Sequence, residues 1–218
     1  MTSPEAWRGR RIPILKILSA DFVTSAASGG RADDIPADGL AQIAFAGRSN
    51  VGKSTLLNAL TRTKLARTSA APGKTRLANV YRITLEGAPG GGPGRWRVYF
   101  VDLPGYGYAR VPQAMRDAWR VLVTDYLQSA SVVGVVVVMD ARHPLTPLDQ
   151  QLLQWLGDVP RLLLFSKADK LSRAEQAKLA SGANSRGDAT LLFSSVTKQG
   201  VVEARALLER WLQAGRGE

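Results

Sequence analysis

Apolar residues in this chain come in short blocks separated by amphipathic stretches. Gln42-Ile43-Ala44-Phe45-Ala46, Val98-Tyr99-Phe100-Val101, Val132-Val133-Gly134-Val135-Val136-Val137-Val138-Met139, Arg161-Leu162-Leu163-Leu164-Phe165 and Leu191-Leu192-Phe193 are the blocks. They are short and several are rich in β-branched residues, the signature of strands buried on both faces of a parallel sheet. The stretches between them carry helical spacing. Thr55-Leu56-Leu57-Asn58-Ala59-Leu60 follows the first block, and the segment 113–128 places Met115, Trp119, Leu122 and Tyr126 on one face. Further helices are predicted over 172–179 and 200–212, the second with Val201, Ala204, Leu207, Leu208 and Trp211 as its buried stripe. The segments 79–86 and 96–102 flank a Gly- and Pro-rich run over 87–94, which predicts a hairpin and hence one antiparallel pair. The pattern therefore predicts an α/β protein: a mostly parallel six-stranded sheet, one antiparallel edge pair, and helices on both faces joined by right-handed crossovers.

Polar motifs stand at the ends of these strands. After the first comes Gly47-Arg48-Ser49-Asn50-Val51-Gly52-Lys53-Ser54, which fits G-x-x-x-x-G-K-[ST] between a strand and a helix. Its glycines let the backbone curl closely around an anion. Its N–H groups and the helix N-terminus then face phosphate oxygens. In this pattern Lys53 reaches the β- and γ-phosphates and the Ser54 hydroxyl ligates Mg²⁺. The block 98–101 ends in Asp102-Leu103-Pro104-Gly105, where the carboxylate can hold Mg²⁺ directly or through water and Gly105 can bring its N–H to a γ-phosphate. The block 161–165 ends in Ser166-Lys167-Ala168-Asp169. A carboxylate there accepts from guanine N1–H and its 2-amino group, whereas adenine would leave it unpaired. The Lys167 stem can lie along the base plane. Phe193-Ser194-Ser195 ends the last strand, where backbone N–H groups can touch guanine O6. The order of these motifs predicts a guanine-nucleotide site.

On these residues the chain resembles the translation-factor-like small GTPases and, within them, the EngB family of bacterial ribosome-assembly GTPases. The resemblance is carried by Phe22-Val23-Thr24-Ser25-Ala26-Ala27, the run 43–54, Pro72-Gly73-Lys74-Thr75, Asp102-Leu103-Pro104-Gly105-Tyr106-Gly107-Tyr108-Ala109, Arg142-His143-Pro144-Leu145 and Phe193-Ser194-Ser195. Two positions depart from the family pattern: Ser166, where relatives have Thr or Asn, and a stretch after Ala27 rich in Gly and Asp. A seryl hydroxyl still braces the loop, so guanine specificity should survive. The resemblance implies a P-loop GTPase fold, GTP and GDP as ligands, Mg²⁺ held by Ser54, Thr75 and Asp102, and a switch segment at Gly73, Lys74, Thr75, Arg76 and Leu77. It implies catalytic roles for Lys53, Asn50 and Thr75, with K⁺ as a further cation beside Asn50. Tyr106 stands where many GTPases carry a water-orienting Gln. A phenol cannot bridge water and phosphate as an amide does, so intrinsic hydrolysis should be slow. The implied partner is a precursor of the large ribosomal subunit and its rRNA, with effects on cell division. The alternative is a septation GTPase working through a protein or membrane partner without direct RNA contact.

Composition narrows this picture. The 218 residues suffice for one sizeable core, with boundaries predicted as a basic N-terminal extension over 1–38, a GTP-binding domain over 39–215 and a tail over 216–218. There is no cysteine, which excludes disulfides and thiolate metal sites. The Val-rich run is far shorter than the ~20 residues a bilayer requires. Lys16 and Asp21 break the apolar stretch near the start, a poor signal peptide. A monomeric cytoplasmic protein is expected. Lys and Arg number 29 against 18 Asp and Glu, a formal charge of +11, with clusters over 8–16 and 62–76. Such a field attracts polyanions; RNA, DNA or an anionic membrane would each fit, and no DNA specificity is signalled. The single histidine, His143, lies in a turn with no partner carboxylate or nucleophile implied, so a turn or partner-binding role is favoured over general-base work.

Overall fold

The computed structural model describes residues 15–27, 35–66, 77–88, 92–106, 120–121, 124–127, 131–184 and 188–214. Seven strands form one sheet: β1 (Ile17–Ala27), β2 (Gln42–Gly47), β3 (Leu77–Glu86), β4 (Arg95–Asp102), β5 (Val132–Asp140), β6 (Arg161–Ser166) and β7 (Ala189–Leu192). The helices are α1 (Lys53–Thr61), α2 (Pro147–Trp155), α3 (Arg173–Asn184) and α4 (Val201–Ala214). Residues 120–121 and 124–127 are also helical, with Tyr126 and Leu127 buried. The rest of that expected helix, including Met115, Trp119 and Leu122, lies outside the described residues.

Strand order is β1-β3-β4-β2-β5-β6-β7. The β2–β4, β2–β5, β5–β6 and β6–β7 pairs are parallel, and β3–β4 is the expected antiparallel hairpin, closed by Gly87 N–H donating to Gly94 O at 2.9 Å. The expectation of six strands is corrected to seven. Ile17–Ala27, inside the segment 1–38 expected to precede the domain, pairs antiparallel with β3 along its whole length. Its polar residues concealed it. Its contacts with the cores are few: Ile17 and Ala20 pack against one and Ala26 enters the other, and as an edge strand with two register shifts it lacks the continuous apolar run of a central strand.

The sheet separates two cores. On one side Ile43, Phe45, Val136, Val138 and Leu164 meet Leu56, Leu57 and Leu60 of α1 and Leu207, Leu208 and Leu212 of α4. On the other, Ala44, Ala46, Val101, Val137, Met139 and Phe165 meet Leu152 and Leu156 at α2. Alternate residues of β2 thus serve opposite cores, which is why that strand is apolar after Gln42. Gly134 interrupts the Val-rich strand because a side chain there would collide with the indole of Trp211 on α4. The buried stripe of α4 contains Ala204, Leu207 and Leu208 as expected, with Val201 and Trp211 packed partly buried beside them. It also contains Arg205, 5% exposed, whose guanidinium donates to Leu60 O from Nε at 2.9 Å and again from its terminal nitrogen. A cation beside the terminal carbonyls of α1 satisfies acceptors the helix cannot. It fixes the helix that carries the phosphate loop.

Candidate functional site

The functional residues gather at the C-terminal ends of the parallel strands, where open α/β sheets place their ligands. The phosphate loop leaves β2 and enters α1 at Gly52, which has φ 108° and no side-chain cap. Gly is the residue that takes this backbone shape without penalty, and an uncapped helix start leaves its N–H groups free for an anion. Asn50 is left-handed too, with φ 62°. Lys53 is buried and folds back over the loop, donating to Gly47 O at 3.2 Å.

Asp102, at the end of β4 and in register with Phe45 of β2, is 2% exposed, and its Oδ1 is buried without a hydrogen-bond partner among the described residues. Burial pushes its carboxyl up to about 6, against the opposing pull of Lys53. A desolvated carboxylate with an unused oxygen is a ligand that fits a hard divalent cation, and the Ser54 hydroxyl at the start of α1 is a second oxygen of the right kind. Leu103 is fully buried and its N–H donates to Phe45 O at 2.9 Å, so this segment is tied to the phosphate strand. Gly105 presses on the loop: a Cβ there would stand 2.7 Å from Ser49 Oγ and 3.1 Å from Ser49 N. This close approach is a second reason for glycine at the end of D-x-x-G. The next residue, Tyr106, pairs with Arg48 in a parallel bridge and accepts from Ser49 N–H at 3.1 Å.

Tyr106 points its phenol into the protein. Its hydroxyl donates to Asp149 Oδ1 at 2.7 Å, while Asp149 Oδ2 accepts from Thr146 N–H at 2.9 Å and Thr146 Oγ1 at 2.7 Å. Burial, then the neighbouring Asp149, pushes the Tyr106 phenol far above its ordinary value, so it stays a neutral donor. Asp149 thereby caps α2 and holds the residue that follows Gly105. The sequence analysis identified neither the Thr146–Asp149 capping box nor its tie to Tyr106, which brings together residues from distant parts of the chain.

The base side is built from β6 and β7. Ser166 Oγ donates within a buried pocket to Val51 O and Met139 O, the latter at 3.0 Å. The hydroxyl thus braces the phosphate loop, as expected for a serine at this departure from the family pattern. Lys167, left-handed at φ 61°, donates from Nζ to Asn50 O at 3.0 Å and to Asp140 Oδ2 at 2.9 Å. Its ammonium is thus a strut between β5 and the phosphate loop. Arg142, then Lys167, holds the Asp140 carboxyl well below the usual carboxylate range, so this strut keeps its charge through mild acid. Sequence reasoning missed Asp140 because nothing in a one-dimensional pattern pairs the end of β5 with the end of β6.

Ala168 is fully buried and its N–H donates to Phe193 O at 3.1 Å, which joins the two base motifs. Ser194 Oγ accepts from the N–H groups of Val196 and Thr197, both at 3.2 Å, which aims its own proton at Asp169 Oδ1, 2.7 Å away. That hydrogen bond is the main reason the Asp169 carboxyl sits below its ordinary value. Ser194 N–H donates to Gln199 O at 3.1 Å, so its amide is engaged within the protein while its hydroxyl makes the contact with Asp169. Ser195 follows, partly buried. Gly73, Lys74, Thr75 and Arg76 lie outside the described residues, while Leu77 opens β3 and is 38% exposed. His143 is exposed in a turn, donating its N–H to Asp140 O at 3.0 Å.

A mostly parallel sheet presenting a glycine loop, a buried Asp beside it and a braced Asp after β6 is the arrangement of a P-loop GTPase. Residues 42–167 match the family model described as 50S ribosome-binding GTPase. The chain belongs to the EngB family of GTP-binding proteins: it is 44% identical over 202 residues to the probable GTP-binding protein EngB of Thiobacillus denitrificans, covering 88% of this chain and 91% of that one. Among solved structures it is similar to a probable GTP-binding protein EngB at TM-score 0.58 and 22% identity, covering 80% of this chain and 100% of that one. It is also similar to Era bound to MgGDPNP and a segment of 16S ribosomal RNA, at TM-score 0.61 and 22% identity, covering 80% of this chain and 56% of that one. These two likenesses speak for the fold. No helix among the described residues is long and apolar enough to cross a membrane.

Proposed function

We propose that this GTPase is a nucleotide switch in assembly of the large ribosomal subunit, binding a precursor particle with GTP and releasing it with GDP. The match of residues 42–167 to a family described by 50S binding carries the reading. The formal charge of +11 suits rRNA as the surface engaged. On this reading the protein works in the cytoplasm as a monomer, with β1 from the segment 1–38 added as an edge strand to the GTP-binding domain of 39–215. The test is sedimentation of extract with GTP, GDP or a non-hydrolysable analogue. The protein is expected to travel with large-subunit precursors in the analogue and to leave them in GDP. Co-sedimentation that ignores the nucleotide, or is confined to membrane or division proteins, would instead support a septation role without RNA contact.

Hydrolysis on this reading uses Lys53 and the loop amides as a clamp on the γ-phosphate. Ser54, Thr75 and Asp102 would hold Mg²⁺, which supplies charge neutralisation between the β- and γ-phosphates. Asn50 would offer a ligand to K⁺ beside the same oxygens, although its left-handed backbone is by itself a reason for Asn in the loop. Loss of the Ser54 hydroxyl in Ser54→Ala should weaken Mg²⁺-dependent binding of GDP and GTP together. Thr75→Ala should spare GDP. Titrations with and without Mg²⁺, and turnover in KCl against NaCl at matched ionic strength, check both cations. Equal loss of GDP affinity in the two variants would remove Thr75 from the metal site. A rate indifferent to K⁺ would remove the second cation.

A further inference from the structure

Ser49 occupies a position that the phosphate-loop pattern leaves unspecified, and with Arg48 Nε its hydroxyl is one of two side-chain polar atoms of the loop that are buried without a partner among the described residues. Its Oγ is buried and has no hydrogen-bond partner among the described residues. A buried hydroxyl without a partner costs free energy, so its placement calls for a ligand. The surroundings say where that ligand lies. Ser49 N–H is already committed to Tyr106 O at 3.1 Å, so the main chain at this position has no donor left for phosphate. The side chain is packed against Gly105, close enough that a Cβ on that glycine would stand 2.7 Å from Ser49 Oγ. Gly105 ends the D-x-x-G segment, whose backbone meets the terminal phosphate of a nucleoside triphosphate. Asp102, which opens that segment three positions earlier, also has an unpartnered buried oxygen. The Ser49 hydroxyl is thus at the γ end of the site, away from the guanine side that Ser166, Lys167 and Asp169 build.

We propose that the Ser49 hydroxyl donates a hydrogen bond to a γ-phosphate oxygen of GTP, which makes this residue a determinant of triphosphate over diphosphate binding. The residue would join the γ-phosphate to the D-x-x-G segment: its side chain takes the phosphate, its N–H holds Tyr106 O, and its Cα packs on Gly105. Arrival of a γ-phosphate would then be felt at Gly105 and Tyr106 through one loop residue. The proposal deepens the GTPase assignment and does not depend on the ribosomal partner.

Ser49→Ala tests it. The methyl fits where the seryl Cβ already sits and removes only the hydroxyl. Hydrogen bonds to charged groups are worth more than neutral ones, so affinity for a non-hydrolysable GTP analogue should fall roughly 10-fold by calorimetry. GDP affinity should remain within about twofold and reports that the variant folds. In ³¹P spectra of the bound analogue the γ resonance should move in the variant while α and β stay. Equal loss for GDP and the analogue, unchanged analogue affinity, or a shift confined to the β resonance would each overturn the assignment.

Discussion

Asn in place of Asp169 should convert the protein from a guanine to a xanthine nucleotide binder. The Asp169 Oδ1 is engaged by Ser194 Oγ at 2.7 Å. An Asn can keep its carbonyl in that bond, which leaves its amide NH₂ as the end offered to the base. Guanine presents donors there, so donor meets donor. Xanthine presents a carbonyl and accepts. Sites built on such hydrogen bonds reject a mismatched ligand strongly, and GTP affinity should fall on the order of 10³-fold while XTP gains. Titration calorimetry with both nucleotides reads the ratio. A GTP-to-XTP ratio that is the same in wild type and Asp169→Asn would dismantle the assignment of the base pocket.

The second large effect is structural. Asp149→Ala should lower the melting temperature by roughly 5–10 °C, equivalent to about 3 kcal/mol for a chain of this size. Asp149 is 1% exposed and accepts three hydrogen bonds, from Tyr106 OH, Thr146 N–H and Thr146 Oγ1. Its removal takes away half of a capping box, worth about 1 kcal/mol, and strands a buried phenol, worth about 1–3 kcal/mol. Tyr106→Phe should cost less, because Asp149 keeps its two bonds to Thr146. Calorimetric melting of the two single variants and the double variant measures the coupling. An unchanged melting temperature in Asp149→Ala would mean that the buried network does not hold Tyr106.

Much of this site was legible in one dimension because its chemistry is local. Phosphate binding requires two glycines, a lysine and a hydroxyl within one loop, and the spacing of Gly47, Gly52, Lys53 and Ser54 is therefore a property of consecutive residues. The same holds for Asp102 with Gly105 and for Lys167 with Asp169, each pair sitting on one strand end. The alternation of apolar blocks with helical periods likewise determined the α/β class, since a strand buried on both faces and a helix buried on one leave different patterns.

What the sequence could not contain is the identity of partners brought together by closure of the sheet. The edge strand β1 reads as a polar tether until its pairing with β3 is seen, because its stability comes from a neighbour sixty or so positions away rather than from its own apolar run. Lys167 bridges Asn50 and Asp140, Ser166 braces Val51, Arg205 caps Leu60, and Tyr106 is held by Asp149. Each of these is a polar group whose hydrogen-bonding needs must be met once it is buried. Which partner meets them depends on the order of strands in the sheet, and long-range geometry of that kind leaves no periodic mark on the chain. Sequence alone therefore determined which chemistry the protein carries, and only the tertiary structure decided which residues hold that chemistry in place.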